Sequence, residues 1–231
     1  MRFRIFRYDP DRDAVPRLEE HELAEARPEM MLLEALLLLK ERDESLSFRH
    51  SCHEGVCGSD AMNINGRNGL ACITPLKDLA EPVTLRPLPG LPVIRDLVVD
   101  LEPFFRQYRA VRPWLVAHEP LPETERRQRP EERARLDGLY ECILCACCST
   151  ACPSWWWNPE RFRGPAALLQ AARFLEDSRD QATAERLQEL DGPYRLFRCH
   201  SIQACVQVCP KGLDPSRAIG RIRERMLQHL A

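Results

Sequence analysis

Eleven cysteines in a chain of 231 residues constrain this protein more than any other feature of its sequence. They fall into three groups, which span residues 52–72, 142–152 and 199–209. The N-terminal stretch Met1–Arg7 has no apolar segment of the kind that a signal peptide requires, so we expect the chain to stay in a reducing compartment. Disulfides are rare in such compartments. Metal binding is therefore the leading explanation for the cysteines.

Composition and motifs exclude several functional classes. Lys and Arg number 33 against 35 Asp and Glu, a formal net charge of −2, which argues against a nucleic-acid binder that works by bulk electrostatics. The longest apolar run, Met30–Leu39, is interrupted by Glu34, so we predict no membrane-spanning helix. We find neither a glycine-rich dinucleotide motif nor a phosphate loop. Any substrate chemistry is therefore expected on a partner.

We predict an α+β protein with two domains, residues 1–103 and 104–231. For the first domain we expect a small ubiquitin-like sheet crossed by one helix. Residues Ser51–Cys72 are rich in glycine and asparagine and are predicted to be largely loop. Alternating or β-branched residues predict the strands, and a leucine-rich run predicts the helix. The strands are Arg2–Tyr8, Val15–Leu23, Val83–Leu88 and Val93–Val99, and the helix is Met30–Lys40.

The second domain is predicted to be helical. Prolines punctuate a charged stretch from Pro103 to Arg135, which we interpret as a linker with a short helix at most. Helical periodicity follows at Gly164–Glu176 and Gln181–Leu190. Asp214-Pro215 then marks the start of a C-terminal helix, with an N-cap residue followed by proline at the first helical position.

The first cysteine group, Cys52-x4-Cys57-x2-Asp60 with a distant Cys72, follows the plant-type [2Fe–2S] spacing. Aspartate stands where the pattern has its third cysteine. A carboxylate can bind iron, although it is a harder ligand than thiolate. We therefore predict a [2Fe–2S] centre with Asp60 as a ligand. The alternatives are a zinc site, or a solvated Asp60 with some other fourth ligand.

The second group, Cys142-x2-Cys145-x2-Cys148-x3-Cys152-Pro153, is the run typical of bacterial ferredoxins. In that run, three cysteines bind one cluster and the fourth binds the other cluster of the pair. Cys147 does not fit the spacing and is predicted to bind no iron.

The third group fits the same template with one exception. Cys199, Cys205 and Cys209-Pro210 fall in place, and Ile202 occupies the position of the missing cysteine. The exchange rule assigns Cys209 to the second group, which predicts a [4Fe–4S] centre on Cys142, Cys145, Cys148 and Cys209. Cys152, Cys199 and Cys205 remain, and isoleucine cannot bind iron, so we predict a [3Fe–4S] centre. Water or a ligand from elsewhere holding a fourth iron is the open alternative.

Three one-electron centres of different type in one polypeptide predict a series of redox centres that transfers electrons from a donor to an acceptor. Trp155–Trp157 follow a predicted ligand, Cys152, after only Pro153 and Ser154. Two interpretations stand for these tryptophans. They form part of the core, or they form a surface that faces a membrane or a partner.

Five stretches closely resemble the iron–sulfur subunit of succinate dehydrogenase, respiratory Complex II. They are Ser51–Asp60, Asn68–Cys72, Tyr140–Cys148, Phe197–Ile202 and Cys209–Gly212. The resemblance implies a β-grasp, plant-type ferredoxin-like domain followed by an all-α bacterial-ferredoxin-like domain. It also implies a flavoprotein partner with FAD, and two membrane-anchor subunits that carry haem b and bind ubiquinone.

The resemblance further implies that the quinone pocket uses residues of this chain near the last cluster. The matching positions are Pro153, Trp157, His200 and Ile202. Aspartate at position 60 resembles bacterial members of the family. With the missing presequence, it implies a protein on the cytoplasmic side of the bacterial inner membrane.

Three other readings of the chain remain open at this point. A fumarate reductase subunit would pass electrons through the same centres in the opposite direction. A free ferredoxin-like shuttle would bind several partners in turn. A zinc-stabilised interaction module would be colourless and would contain no acid-labile sulfide.

Overall fold

The structure is a computed structural model that describes residues 1–117, 120 and 122–230. It divides into two compact units, residues 1–101 with 143–151 and residues 102–142 with 152–231. The predicted domain boundary after residue 103 stays a prediction. The segment 143–151, which belongs to the predicted second domain, groups by its contacts with the first unit. Residues 118, 119 and 121 of the predicted linker lie outside the described residues.

The first unit is built on seven strands and one long helix, α1 (Leu32–Arg42). The strands are β1 (Arg2–Arg7), β2 (Arg17–Glu22), β3 (Ala61–Ile64), β4 (Arg67–Leu70), β5 (Val83–Arg86), β6 (Val93–Arg95) and β7 (Val98–Val99). Five of them form one sheet in the order β2-β1-β5-β3-β4, and β6 and β7 form a separate pair. Strand β1 is antiparallel to β2 and parallel to β5, while β3 is antiparallel to β4 and β5.

Side-chain alternation explains why this sheet covers a core. Phe3 and Ile5 of β1 are fully buried, and Arg2 and Arg4 on the opposite face are exposed. Helix α1 buries Leu32, Leu36 and neighbouring apolar residues, because leucines recur at helical spacing along one face. A mixed sheet with one long helix is the predicted ubiquitin-like arrangement, so this expectation is confirmed.

The prediction that Ser51–Cys72 is largely loop is partly wrong. Strands β3 and β4 form a hairpin there, with a two-residue turn at Asn65-Gly66, where both φ angles are positive (49° and 86°). Asn-Gly is the pair that such tight hairpin turns favour, since both positions need left-handed backbone. The signal was present in the sequence, but the surrounding glycines concealed it.

The second unit is helical, as predicted. Helix α4 (Cys147–Thr150) belongs to the first unit, and the helices of the second unit are α2 (Glu102–Arg109), α3 (Pro130–Ala134), α5 (Pro153–Trp157), α6 (Gly164–Glu176), α7 (Thr183–Leu190), α8 (Ala204–Gln207) and α9 (Pro215–Leu230). Helix α6 is buried on nearly every side and packs against α2, α7 and α9. Helix α9 contributes an apolar face that includes Ile219 and Ile222.

The interpretation of 103–135 as a linker with one short helix at most is wrong. Helix α2 begins at Glu102 and α3 covers Pro130–Ala134. Between them, Arg186 of α7 donates hydrogen bonds to the carbonyl oxygens of Val111 (3.1 Å) and Trp114 (2.7 Å). Backbone groups without secondary structure are thus satisfied by one distant side chain, which no local pattern predicts.

Within the described residues, no helix has both the length and the apolar character that crossing a membrane requires.

Candidate iron–sulfur sites

The loop that carries Cys52 and Cys57 directs backbone N–H groups at sulfur. Cys52 Sγ accepts hydrogen bonds from the N–H groups of Cys57 (3.2 Å), Val56 (3.4 Å) and Glu54 (3.5 Å). These donors lower the pKa of the Cys52 thiol to about 7. Gly55 and Gly58, each with φ of +70°, allow the chain to coil around the sulfur. The loop therefore stabilises a thiolate before any metal is considered.

Asp60 and Cys72 complete this constellation inside the first unit. Asp60 is only 2% exposed, and its Oδ2 accepts a hydrogen bond from the N–H of Cys72 at 2.5 Å. Its Oδ1 is buried and has no hydrogen-bond partner. Burial, together with the neighbouring Asp60 carboxylate, raises the pKa of the Cys72 thiol to about 12. A buried carboxylate oxygen without a partner is costly, and a metal ligand bond would satisfy it.

The donor set of this first site fits a [2Fe–2S] cluster. Cys52, Cys57 and Asp60 belong to one loop, and Cys72 is hydrogen-bonded to Asp60. Charge repulsion from Cys52 contributes to the raised pKa of the Cys72 thiol. Among the residues that the structure describes, no three His, Cys, Asp or Glu side chains converge on the position of a single metal ion.

Residues 143–151 form a second cysteine segment within the first unit. Leu144 and Ala146 adopt left-handed backbone (φ 54° and 64°), and α4 begins immediately afterwards. Hydrogen bonds from the Cys147 thiol and its backbone N–H lower the pKa of Cys145, despite burial. Cys147 itself is completely buried. Cys142 and Cys209 belong to the second unit, so the predicted four-cysteine set stays a prediction.

A pocket of the second unit brings the third cysteine set together. Its lining includes Cys152, Cys199 and Cys205. Burial, and then charge repulsion from the thiols of Cys152 and Cys199, raise the pKa of Cys205 to about 12. Ile202 lines the same pocket. Three thiols and one aliphatic side chain fit a cluster that lacks one iron.

The structure places three of the four predicted quinone residues at this pocket and leaves one outside its lining. Pro153, His200 and Ile202 line it. Trp157 lies at the end of α5 and is 70% exposed. Trp155 is fully buried, which confirms the core interpretation for that ring, whereas the membrane- or partner-facing role of the other rings stays a prediction. The exposed Trp157 is a surface residue.

Sequence reasoning gave no role to Asn68, although its side chain connects β4 to α4. Its buried Nδ2 donates to the carbonyl oxygen of Cys147 (3.1 Å) and to Thr150 Oγ1 (3.0 Å). These partners lie 79 and 82 residues away along the chain. No local pattern predicts such a bond.

Two family sequence models match the chain. Residues 2–106 match the "2Fe-2S iron-sulfur cluster binding domain", and residues 138–213 match the "4Fe-4S dicluster domain". With the cysteine geometry described above, these matches define a multi-cluster iron–sulfur protein with two ferredoxin-like parts.

Named relatives narrow this class to one family. The succinate dehydrogenase iron–sulfur subunit of Coxiella burnetii is 55% identical over 99% of this chain and 97% of its own length. The counterpart from Paracoccus denitrificans is 50% identical over 99% of this chain and 89% of its own length. The mitochondrial succinate dehydrogenase [ubiquinone] iron–sulfur subunit 1 of Oryza sativa is 50% identical over 98% of this chain and 82% of its own length. The chain belongs to the family of succinate dehydrogenase iron–sulfur subunits.

Solved structures share the fold of this chain. A chain of the Mycobacterium smegmatis Sdh1 complex in the apo form superposes with a TM-score of 0.89, at 27% identity, over 99% of this chain and 95% of that chain. A hypothetical protein from Helicobacter pylori shares the fold with a TM-score of 0.60 at 16% identity, over 97% of this chain and 39% of that chain. The predicted α+β fold class and the predicted family are confirmed.

Proposed function

We propose that this chain passes electrons from the FAD of a flavoprotein subunit through three clusters to ubiquinone at a membrane anchor of two subunits with haem b. The ligands of the [2Fe–2S] centre are Cys52, Cys57, Asp60 and Cys72. Those of the [4Fe–4S] centre are Cys142, Cys145, Cys148 and Cys209, and those of the [3Fe–4S] centre are Cys152, Cys199 and Cys205. When bound, such clusters supply one-electron centres with potentials tuned by cluster type, charge and hydrogen bonding.

The observation that carries this proposal is the pocket of the second unit. Three thiols line it together with Ile202, which stands where the two-cluster ferredoxin template has a fourth cysteine. His200 and Pro153 line the same pocket. Electrons that reach this centre therefore have an exit next to an ionisable side chain, which suits a two-electron, two-proton acceptor such as a quinone. We place the chain on the cytoplasmic face of a bacterial inner membrane.

The direct test is electron paramagnetic resonance of the purified complex, first oxidised and then reduced with succinate. We expect a three-iron signal in the oxidised complex that disappears on reduction, while a [2Fe–2S] signal appears. Iron and acid-labile sulfide should both be present. A colourless complex that contains zinc and no sulfide would refute the proposal. In gel filtration of a native membrane extract, elution of the chain without partner subunits would instead indicate a free electron shuttle.

Removing the carboxylate of Asp60 is expected to remove or destabilise the [2Fe–2S] centre, because its buried Oδ1, which has no hydrogen-bond partner, is the proposed fourth ligand atom. Asp60→Ala should lose that signal, whereas Asp60→Cys should keep it with an altered shape, since thiolate is the softer and usual ligand. Paramagnetic resonance spectra and the iron content of the complex measure the effect of each of these two variants. Cys147→Ser is the control and should leave all three centres intact. An unchanged spectrum in Asp60→Ala would exclude Asp60 as a ligand.

Substituting Trp157 by Leu, or His200 by Thr, is expected to depress succinate–ubiquinone activity while leaving the clusters in place. Reduction of an artificial dye that accepts electrons upstream should persist, because the two side chains act only at the exit. Trp114→Leu is the matched control, since Trp114 is also an exposed tryptophan of the second unit but does not belong to α5, the helix that begins directly after Cys152. A parallel fall of both activities together with the cluster signals would show that the two residues are structural.

A further inference from the structure

The loop that carries Cys57 lies directly against Cys145 within the first unit. Gly58 marks the contact, since a Cβ built on it would stand 2.8 Å from Cys145 Cβ and 3.0 Å from Cys145 Cα. The carbonyl oxygen of Ile143 would be 3.3 Å away. Real Cβ atoms essentially never approach other atoms closer than 3.0 Å. Only glycine therefore allows the two segments to lie this close.

A second, independent contact holds the same two segments together. The buried amide of Asn68, on the edge strand β4, donates to the backbone of Cys147 and to the Thr150 hydroxyl, both on α4. Its Oδ1 accepts a hydrogen bond from Asn63 at 2.8 Å, which orients the amide. Helix α4 follows Cys145 directly in the chain and carries Cys148. Asn68 thus fixes the second cysteine segment on the sheet that supports the first site.

We propose that the Gly58–Cys145 contact is the path by which an electron leaves the centre held by Cys57 and enters the centre held by Cys145. This inference rests on the ligand sets proposed above. One electron moves, so the first centre is oxidised and the second is reduced by one electron, and no bond or proton is exchanged. Gly58 adjoins Cys57 covalently, so a single non-bonded step separates the two ligand residues. Asn68 is a positioning residue for that step.

The test uses Gly58→Ala in the complete complex, fully reduced with dithionite. Unpaired electrons on neighbouring centres speed each other's spin relaxation, and the effect falls steeply with separation. The added methyl group must push the loop away from Cys145, so we expect a loss of the relaxation enhancement of the [2Fe–2S] signal. Electron transfer between the two centres, followed by rapid freeze-quench, should be slower.

Gly55→Ala is the matched control. Gly55 lies in the same loop with the same φ of +70°, so the backbone strain introduced by alanine is similar. Its added Cβ would meet Ile73 Cγ2 at 3.0 Å, a side-chain methyl group of a partly exposed residue, and not Cys145. We expect Gly55→Ala to keep the relaxation enhancement that Gly58→Ala loses.

Asn68→Leu provides a second route to the same result, because it removes both bonds to α4 and leaves the 52–60 loop unaltered. We expect it to reduce the enhancement while the iron content stays constant, and it decides the matter if Gly58→Ala fails to assemble its first centre. Unchanged relaxation in a variant that retains both signals would overturn the electron path. Absence of either signal in the unsubstituted complex would instead refute the proposed ligand sets.

Discussion

Replacing Ile202 by cysteine is expected to convert the centre at Cys152, Cys199 and Cys205 from three irons to four. Ile202 lines the same pocket as those thiols, and it stands where the ferredoxin template has its fourth cysteine. A thiolate at that corner supplies the missing ligand. The three-iron signal of the oxidised complex should shrink, and the potential of the centre should fall because one more thiolate donates to it. A fall of about 59 mV is tenfold in a one-electron equilibrium, so quinone reduction should slow.

Ile202→Ala is the matched control for this variant. It removes the same aliphatic side chain from the same half-exposed position but adds no ligand, so it should retain the three-iron signal. Redox titration and iron analysis of both variants measure the difference. A full three-iron signal in Ile202→Cys would show that the template is misaligned on the third cysteine group.

The second large effect is expected from Arg186→Met, in the interior of the second unit. Arg186 and Asp180 form an ion pair at 2.7 Å, with their side chains only 2% and 0% exposed. Burial raises the pKa of Asp180, but hydrogen bonds from Arg186 and from two backbone N–H groups lower it below its ordinary value. Without Arg186, the buried carboxylate loses its counter-ion, which typically costs about 3–5 kcal/mol. Thermal loss of the cluster absorbance of the complex should occur at a clearly lower temperature.

Two further variants isolate the cause of this destabilisation. Arg186→Met with Asp180→Leu removes both charges, so it should recover part of the loss, although the carbonyl oxygens of Val111 and Trp114 still lack their donor. Arg4→Met breaks an exposed ion pair with Glu20 and should change little. Equal losses in Arg186→Met and Arg4→Met would contradict the assigned role of burial.

The cluster chemistry was predictable because ligand spacing is a local property of the chain. Cys142-x2-Cys145-x2-Cys148 specifies a loop that coils around a cluster, and the structure shows the left-handed residues that this coiling needs. The Ile202 exception was likewise visible from alignment with the template alone. The ligand sets remain predictions, and the experiments above test them.

Other features escaped sequence reasoning for definite physical reasons. The β3–β4 hairpin carried a local Asn-Gly signal that the loop-like composition of 51–72 concealed. No periodicity in the stretch after Glu102 indicates that it packs on the second unit. The carbonyl oxygens of Val111 and Trp114 accept hydrogen bonds from Arg186, which lies more than 70 residues further along the chain. Trp155 and Trp157 belong to the same run of three tryptophans, yet Trp155 lies in the core and Trp157 lies on the surface.

The sequence by itself determined the family, the fold class and the cluster types, because each depends on which residues occur at which short spacing. Only the tertiary structure decided that residues 143–151 join the first unit, that Gly58 touches Cys145, and that Asn68 holds α4 to the sheet. These contacts join residues about 80 positions apart, and their free energy comes from burial and hydrogen bonds that exist only once the chain has folded. For that reason no pattern along the chain predicts them.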